Sequence, residues 1–334
     1  RASQQRTCRT GVLRAVLAWV LGVIVLIYVL AQPDYPALLG LLHNAGLMLL
    51  WVLWLEPLRW ASQAAAWQLL FAPGHRASFA SVFYASALAN AVNELLPVLA
   101  VGGNLLKARH LVQRGVSGVQ ATAAGIVDIS LHGVSALGWS LIGLLVLGTL
   151  VQDIELFRAS LLGSLVLALV IVGLIGAQLF ASDGFSRLLQ KHFRARGWDK
   201  LARGAEPTQR RLLELWQRRS ICLSSVLLRM AGRALMVPEL LFVSWLMGAD
   251  IAFWQATAVT GFVILVKTAS FMIPARIGVQ EGAFLASGGL LGLPAELMVA
   301  LALTVRLREV LPQLSVLLVG WVDESRRLSS GRTA

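Results

Sequence analysis

The sequence is built from uninterrupted apolar stretches long enough to cross a lipid bilayer. A helical span takes about 20 predominantly apolar residues. The chain supplies such runs at 12–31, 36–58, 118–150, 158–181, 221–248 and 294–320. Of its 334 residues 57% are hydrophobic and only 14% charged, where a soluble domain carries roughly 25% charged. That balance excludes a soluble globular enzyme, a disordered chain and a disulfide scaffold. The expected fold is an all-α polytopic membrane protein, one integral membrane domain over 1–334 with about six full spans.

The charge is strongly positive, 29 Lys and Arg against 17 Asp and Glu, for a net +12. In a soluble chain this would point to nucleic acid. Here it follows from the rule that cytoplasmic loops of membrane proteins carry the excess Lys and Arg, and no nucleic-acid motif accompanies it. Arg1, Arg6, Arg9 and Arg14 mark the N-terminal tail as cytoplasmic, as the basic run from Arg187 to Arg219 marks the loop 182–220. The connections around Asp34 and at 152–156 carry no Lys or Arg and suit the opposite side. Cys8 and Cys222 both adjoin basic segments, so no disulfide is expected. The run Val12–Leu30 is longer than a signal-peptide core and is expected to be retained as a span.

Two further segments, 78–113 and 254–292, are apolar but broken by Gly, Pro and charge. Arg59 and Arg76 precede the first, and Lys107, Arg109 and Arg114 close it, so both its ends read as cytoplasmic and the segment as a re-entrant helical hairpin. The second starts after Asp250 and ends before Pro294, on the other side, and reads as a hairpin from the opposite face. Their punctuation corresponds: Pro97, Gly102, Gly115 and Asp128 in one unit, Pro274, Gly278, Gly292 and Arg306 in the other. The two are read as an inverted repeat, a common way for transporters to build a midplane site. The loop 182–220 is expected to be an amphipathic helix pair with Trp198 and Trp216 at headgroup level, and Trp51, Trp54, Trp60 and Trp67 an interfacial belt.

Metalloprotease, nucleophile-elbow, P-loop and paired-cysteine signatures are missing; no catalytic residue, metal or cofactor is expected. What stands out is the number of ionisable groups inside apolar runs. Each costs roughly 2.5–3.5 kcal/mol at mid-bilayer on insertion scales, so each calls for a partner or a task. The first cluster is Asn93, Glu94, Pro97, Gly102, Gly103 and Asn104, with Asn104 expected to cap a helix that climbs toward Lys107 and Arg109. Asp128 follows on the next helix, sharing a face with His132. Arg229 and Arg233, one turn apart, and Arg306 with Glu309 are natural partners for Asp128, Glu239 and Glu281. The densest stretch runs from Lys267 through Pro274, Arg276, Gly278 and Gln280 to Glu281. Gly288 and Gly292 form a small-xxx-small pair suited to helix packing.

The run Asn93 to Asn104, followed by Lys107, Arg109 and Arg114-Gly115, resembles the membrane domain of lysylphosphatidylglycerol synthases and flippases. Ile273-Pro-Ala-Arg-Ile-Gly-Val-Gln-Glu-Gly282, Gly292-Leu-Pro294 and Arg306-Leu-Arg-Glu309 resemble later motifs of that family. The spellings G-V-Q-E-G, R-L-R-E and Val127-Asp128-Ile129-Ser130 look most like its hopanoid-biosynthesis-associated HpnL-type branch. The resemblance implies a multi-pass protein of the bacterial inner membrane with cytoplasmic termini that handles lipids. It carries over Asn93, Pro97, Gly102, Gly103, Arg109, Asp128, Gly278, Gln280, Glu281, Arg306, Arg308 and Glu309 as site residues. The chain departs from the branch at Asn104, where an acidic residue is usual, and at Arg276, where a P-x-G-L-G run has Gly.

The function expected is therefore a flippase-like protein, not an enzyme, that moves or presents a polar-headed lipid. Hopanoid, phospholipid and polyprenyl-type lipid are the candidate substrates. The alternative is a non-transporting scaffold that docks lipid-biosynthesis enzymes through its basic loop.

Overall fold

The structure is a computed structural model that describes residues 22–71, 77–95, 102–151, 154–180, 199–270 and 276–330. Among these every regular element is helical. A helix α1 (22–30) leads into the long helical run α2 (Tyr35–Gln68), whose middle, Gly46–Trp54, is wound as a 3-10 helix. Pro57 accounts for the tight winding just before it, because it has no N–H to donate and its ring crowds the carbonyl four residues back. Next come α3 (Phe79–Leu95), α4 (Gly102–Val112), α5 (Gly118–Leu150) and α6 (Ile154–Phe180). The second half holds α7 (Asp199–Gln217), α8 (Arg219–Ala234), α9 (Met236–Leu246), α10 (Phe253–Ala269), α11 (Val279–Leu290) and α12 (Ala295–Ser330).

The order of elements recurs. α3 and α10 are each 17 residues long, and each packs on a shorter partner, α4 with 11 residues and α11 with 12. A positive-φ glycine, Gly115 or Gly292, then turns the chain into a long helix, α5 of 33 residues or α12 of 36. Ser117 caps α5, its hydroxyl accepting the Gln120 N–H at 3.2 Å. The packing is reciprocal: α5 lies against α10 of the other unit, and α12 against α3. At about 1.5 Å per residue, 17 residues reach about 25 Å, short of a hydrocarbon core about 30 Å thick.

The α5–α10 contact is close because both helices present glycine there. A Cβ on Gly143 would sit 2.5 Å from Gly261 Cα and 2.9 Å from the Thr257 carbonyl oxygen. Beside the crossing, Trp139 Nε1 donates to Thr260 Oγ1 at 3.3 Å.

Two helical runs among the described residues, Tyr35–Gln68 and Gly118–Leu150, are long and apolar enough to cross a membrane. Leu161–Gly176 and Phe253–Ala269 are shorter apolar helices. Along α6, Leu162, Val166, Leu169 and Val172 are all more than 60% exposed, an apolar surface that water would not tolerate and lipid would.

Several expectations need correction. The span expected to end at 58 continues as helix to Gln68, because its Ala- and Ser-rich end packs against α3 and α8. That extension carries Trp60 and Trp67 into the interior, 3% and 0% exposed, while Trp51 and Trp54 stay outside; the four do not make one belt. The span 221–248 is two helices, broken at Leu235. Pro238, in the first turn of α9, cannot bond back to the residue 234 carbonyl. The part of the basic loop within the described residues is the single helix α7, which is packed on α5 rather than lying free: Leu212 and Leu215 are buried with Trp67 and Val127. Gly288 packs on Met298 as a packing glycine would, but Gly292 serves the turn. Trp198, Pro97, Pro274, Cys8, Arg187 and the N-terminal arginines lie outside the described residues.

Candidate functional site

The first group of buried charges centres on Asp128 of α5. Lys107 of α4 and Arg229 of α8 both donate to its carboxylate, and all three residues are buried. The Lys107 ammonium also lies 4.0 Å from the centroid of the Trp67 ring, whose negative π-face favours a cation. One turn along α5, His132 Nε2 is 3.1 Å from Arg233 Nη2, and His132 Nδ1 is 3.5 Å from Arg229 Nη1. Arginine only donates, and a neutral imidazole has one accepting nitrogen, so His132 accepts from one of them at a time. Arg233 also donates to Ser135 Oγ at 3.4 Å. This corner therefore holds three cations around one carboxylate.

The second group joins the two helical pairs. At the end of α3, Glu94 accepts from Arg276, and Lys267 Nζ of α10 lies 3.6 Å from it. Lys267 donates to Glu309 of α12 at 2.8 Å. Arg308, fully buried, pairs with Glu239 of α9 at 2.6 Å and with Glu56 of α2. Arg59 sits 3.4 Å from Glu56. Arg306 reaches Glu281 of α11 at 2.8 Å and donates to the Arg276 carbonyl at 3.2 Å. Five carboxylates (Glu56, Glu94, Glu239, Glu281, Glu309) thus face five cations (Arg59, Lys267, Arg276, Arg306, Arg308). A charge in an apolar interior is costly unless paired, and here each member has a partner of opposite charge.

Polar capacity is nevertheless left over. Gln280 is fully buried, and neither its amide oxygen nor its nitrogen has a hydrogen-bond partner. Glu281 Oε2, Glu309 Oε2, Arg276 Nε and Arg229 Nε are likewise buried and unbonded. Unsatisfied buried polar atoms are rare in folded proteins, and three of these residues cluster at the start of α11. Gly278 is the N-cap there, at φ 77, with no side chain to satisfy the first turn of N–H groups.

Most of the expected site residues converge, and a few do not. Asp128 pairs with Arg229, Glu281 with Arg306, and Glu94 with Lys267 and Arg276. Asn93 accepts the Gly103 N–H at 2.9 Å, and a Cβ on Gly103 would strike the Ala89 carbonyl, so this pair sets how closely α3 and α4 approach. Asn104 is not the cap of α4: the helix already begins at Gly102, which leaves Asn104 inside the first turn. Arg109 is exposed in the last turn of α4. Pro97 lies outside the described residues. The sequence reading missed Glu56, Arg59 and Lys107 as members of the network. Glu56 was detectable by the same rule that singled out Asp128, a carboxylate in an apolar run.

An all-helical fold, apolar on its surface and with a buried ion network inside, defines a membrane protein organised around its polar centre. The chain matches the family described as lysylphosphatidylglycerol synthase TM region over residues 12–316, and it belongs to that family. It is accordingly an all-α membrane protein of a family that acts on lipids. No curated protein and no solved structure matches it.

Proposed function

We propose that this protein is a lipid translocase of the bacterial inner membrane, closest to the hopanoid-associated branch of its family, with both termini cytoplasmic. The α3–α4 and α10–α11 pairs enter the bilayer from opposite faces as re-entrant hairpins and meet near its middle. The observation that carries this reading is the network that ties the end of α3 to the start of α11 through Glu94, Arg276, Lys267, Glu309, Arg306 and Glu281. Beside that network Gln280 is buried and entirely unbonded, which leaves polar capacity for a headgroup. A lipid headgroup binds there and to the surplus cations Arg229, Arg233 and Lys107, its phosphate or hydroxyls taking up the spare donors, while its tail stays in lipid. Phosphate contacts at a helix N-terminus and with arginines are favourable for the same electrostatic reasons. Hopanoids with extended polar headgroups are the favoured cargo, on resemblance to the branch.

The test is translocation in proteoliposomes, comparing a labelled polar hopanoid with a labelled phospholipid, for wild type and Glu281→Gln. Protein-dependent movement that drops at least tenfold in the variant supports the reading. If folded wild-type protein moves neither lipid, transport is refuted in favour of the scaffold alternative, in which the chain docks lipid-biosynthesis enzymes. The opposed hairpins are tested by single cysteines at Gln113 and Asp250, which should label from the cytoplasmic and the outer side respectively. Labelling from one side would overturn the hairpin topology.

A further inference from the structure

The corner at Asp128 is out of charge balance. In the second group five carboxylates meet five cations, whereas here Lys107, Arg229 and Arg233 share one carboxylate, which leaves two positive charges over. Lys107 and Arg229 both pair with Asp128. Among the described residues Arg233 has no carboxylate partner: its hydrogen bonds go to the His132 ring, the His132 carbonyl and Ser135 Oγ. The charges that act on it most strongly are those of Arg59, Arg229 and Arg276, all of its own sign. Residues 96–101 and 271–275, which lie between α3 and α4 and between α10 and α11 in the chain, contain no Asp or Glu. His132 is exposed near the middle of α5, and Gly125, two turns earlier on the same face, has open space where a side chain would stand. Arg229, 4% exposed, adds an Nε that has no partner.

We infer that the site at Arg233 and His132 selects lipids whose headgroup ends in a phosphomonoester, a dianion, over phosphodiester, zwitterionic and cationic headgroups. The inference rests on the translocase reading for the headgroup's place beside α5 and α8, and it adds the chemistry of that headgroup while leaving the tail as that reading has it. A phosphomonoester carries about −1.5 to −2 charges at pH 7, which matches the surplus. A phosphodiester cancels half of it, a zwitterion none, and a headgroup ending in an amine adds to the repulsion. An unpaired charge in an apolar surrounding is costly, so the headgroup with the closest opposite charge gains most. The hydrogen bonds fit as well. A neutral His132 ring accepts from one arginine at a time, so one guanidinium is always short of an acceptor. Once phosphate oxygens take Arg233, the ring keeps Nδ1 for Arg229, and Nε2 carries the proton and donates to the phosphate. The bonds from the guanidinium to phosphate are charge-assisted and can be bidentate, the strongest class of hydrogen bond the site can offer.

Native mass spectrometry of the detergent-purified full chain, given equal amounts of phosphatidic acid, phosphatidylglycerol and phosphatidylcholine with matched chains, tests this. Wild type should retain phosphatidic acid at least threefold over phosphatidylglycerol, and phosphatidylcholine least. Arg233→Gln should erase the preference for phosphatidic acid, and Arg233→Lys should keep it. Arg210→Gln, which removes an exposed cation on α7, should leave it unchanged. Because Arg233 is a surplus charge, the lipid-free Gln variant should melt no lower than wild type, which an arginine serving structure alone would not allow. Equal retention of phosphatidic acid and phosphatidylglycerol by wild type overturns the inference. So does an equal loss of preference in Arg210→Gln, or a lower melting temperature in Arg233→Gln with the preference intact. Full displacement of phosphatidic acid by an equimolar amount of inorganic phosphate would assign the site to a free anion and overturn it as a lipid site. Binding is read without transport, so the two readings fail separately. Lipid movement by a protein that retains all three lipids equally leaves the translocase reading standing, and selective retention by a protein that moves no lipid leaves this site standing.

Discussion

Arg276, at φ 47 the one non-glycine residue with positive φ among the described residues, extends from the segment before α11 to the carboxylate of Glu94 at the end of α3. An L-residue in the left-handed region costs roughly 1–2 kcal/mol. Two bonds hold it there: the ion pair with Glu94, and the hydrogen bond its carbonyl accepts from Arg306.

Arg276→Gly relieves the backbone and deletes the ion pair, whereas Arg276→Ala deletes the ion pair and keeps the strain. The glycine variant should therefore unfold at a higher temperature than the alanine variant, by an amount equivalent to about 1 kcal/mol. Thermal unfolding in detergent decides it; equal midpoints would mean that the positive φ carries no cost.

Asp128 separates two cations, so its removal and theirs are not equivalent. Asp128→Asn leaves Lys107 and Arg229 facing each other in the interior and should cost about 3–5 kcal/mol. Lys107→Met keeps a long side chain on Trp67 and leaves a neutral Asp128–Arg229 pair, for a loss of about 1.5–3 kcal/mol. Denaturant unfolding of both variants should give that order.

Arg308 neutralises Glu239 and Glu56 at once, at 0% exposure. Arg308→Met strands the buried carboxylate of Glu239 and leaves Glu56 with Arg59 alone, and should lose about 3–5 kcal/mol, most visibly as poor accumulation in the membrane. Combining it with Glu56→Gln and Glu239→Gln should recover most of that loss, since the stranded charges are then gone.

At the α5–α10 crossing, Gly143→Ala has no free space to fill. Overpacking of this kind typically costs 1–3 kcal/mol, and because the obstacle is the backbone of Gly261, no side-chain rotation relieves it. Gly289→Ala, whose Cβ would meet nothing within 4 Å, is the matched control and should be near neutral by the same unfolding assay.

The helical membrane class was legible from apolar run length, and the turns at Gly115 and Gly292 into the long helices from the spacing of the glycines. The pairs Asp128–Arg229 and Glu281–Arg306 were legible because a charge in an apolar run must find its opposite. Lys107 was misjudged because, near the end of its segment, it looked like a loop cation setting orientation; α4 packs it inward over Trp67. Arg59 was misjudged for a related reason, since the run that holds it was taken to end at 58, whereas Glu56 lay inside that run and was overlooked. Where α2 ends depends on what α3 and α8 offer its Ala-rich last turns, and no local pattern reports that. The break at Leu235 was missed when 221–248 was read as one span, although Pro238 is a local signal for it.

The network also has a schedule. Asp128 is made 101 residues before Arg229, and Glu56 252 residues before Arg308. A nascent chain emerging from the ribosome therefore carries acids that have met only one of their two cations, Lys107 for Asp128 and Arg59 for Glu56, and α12 brings the last of the others. Until then the pairing that lets those carboxylates be buried is incomplete. The final helix acts as the keystone of assembly, and a chain truncated before it should be a substrate for membrane quality control rather than a smaller working protein.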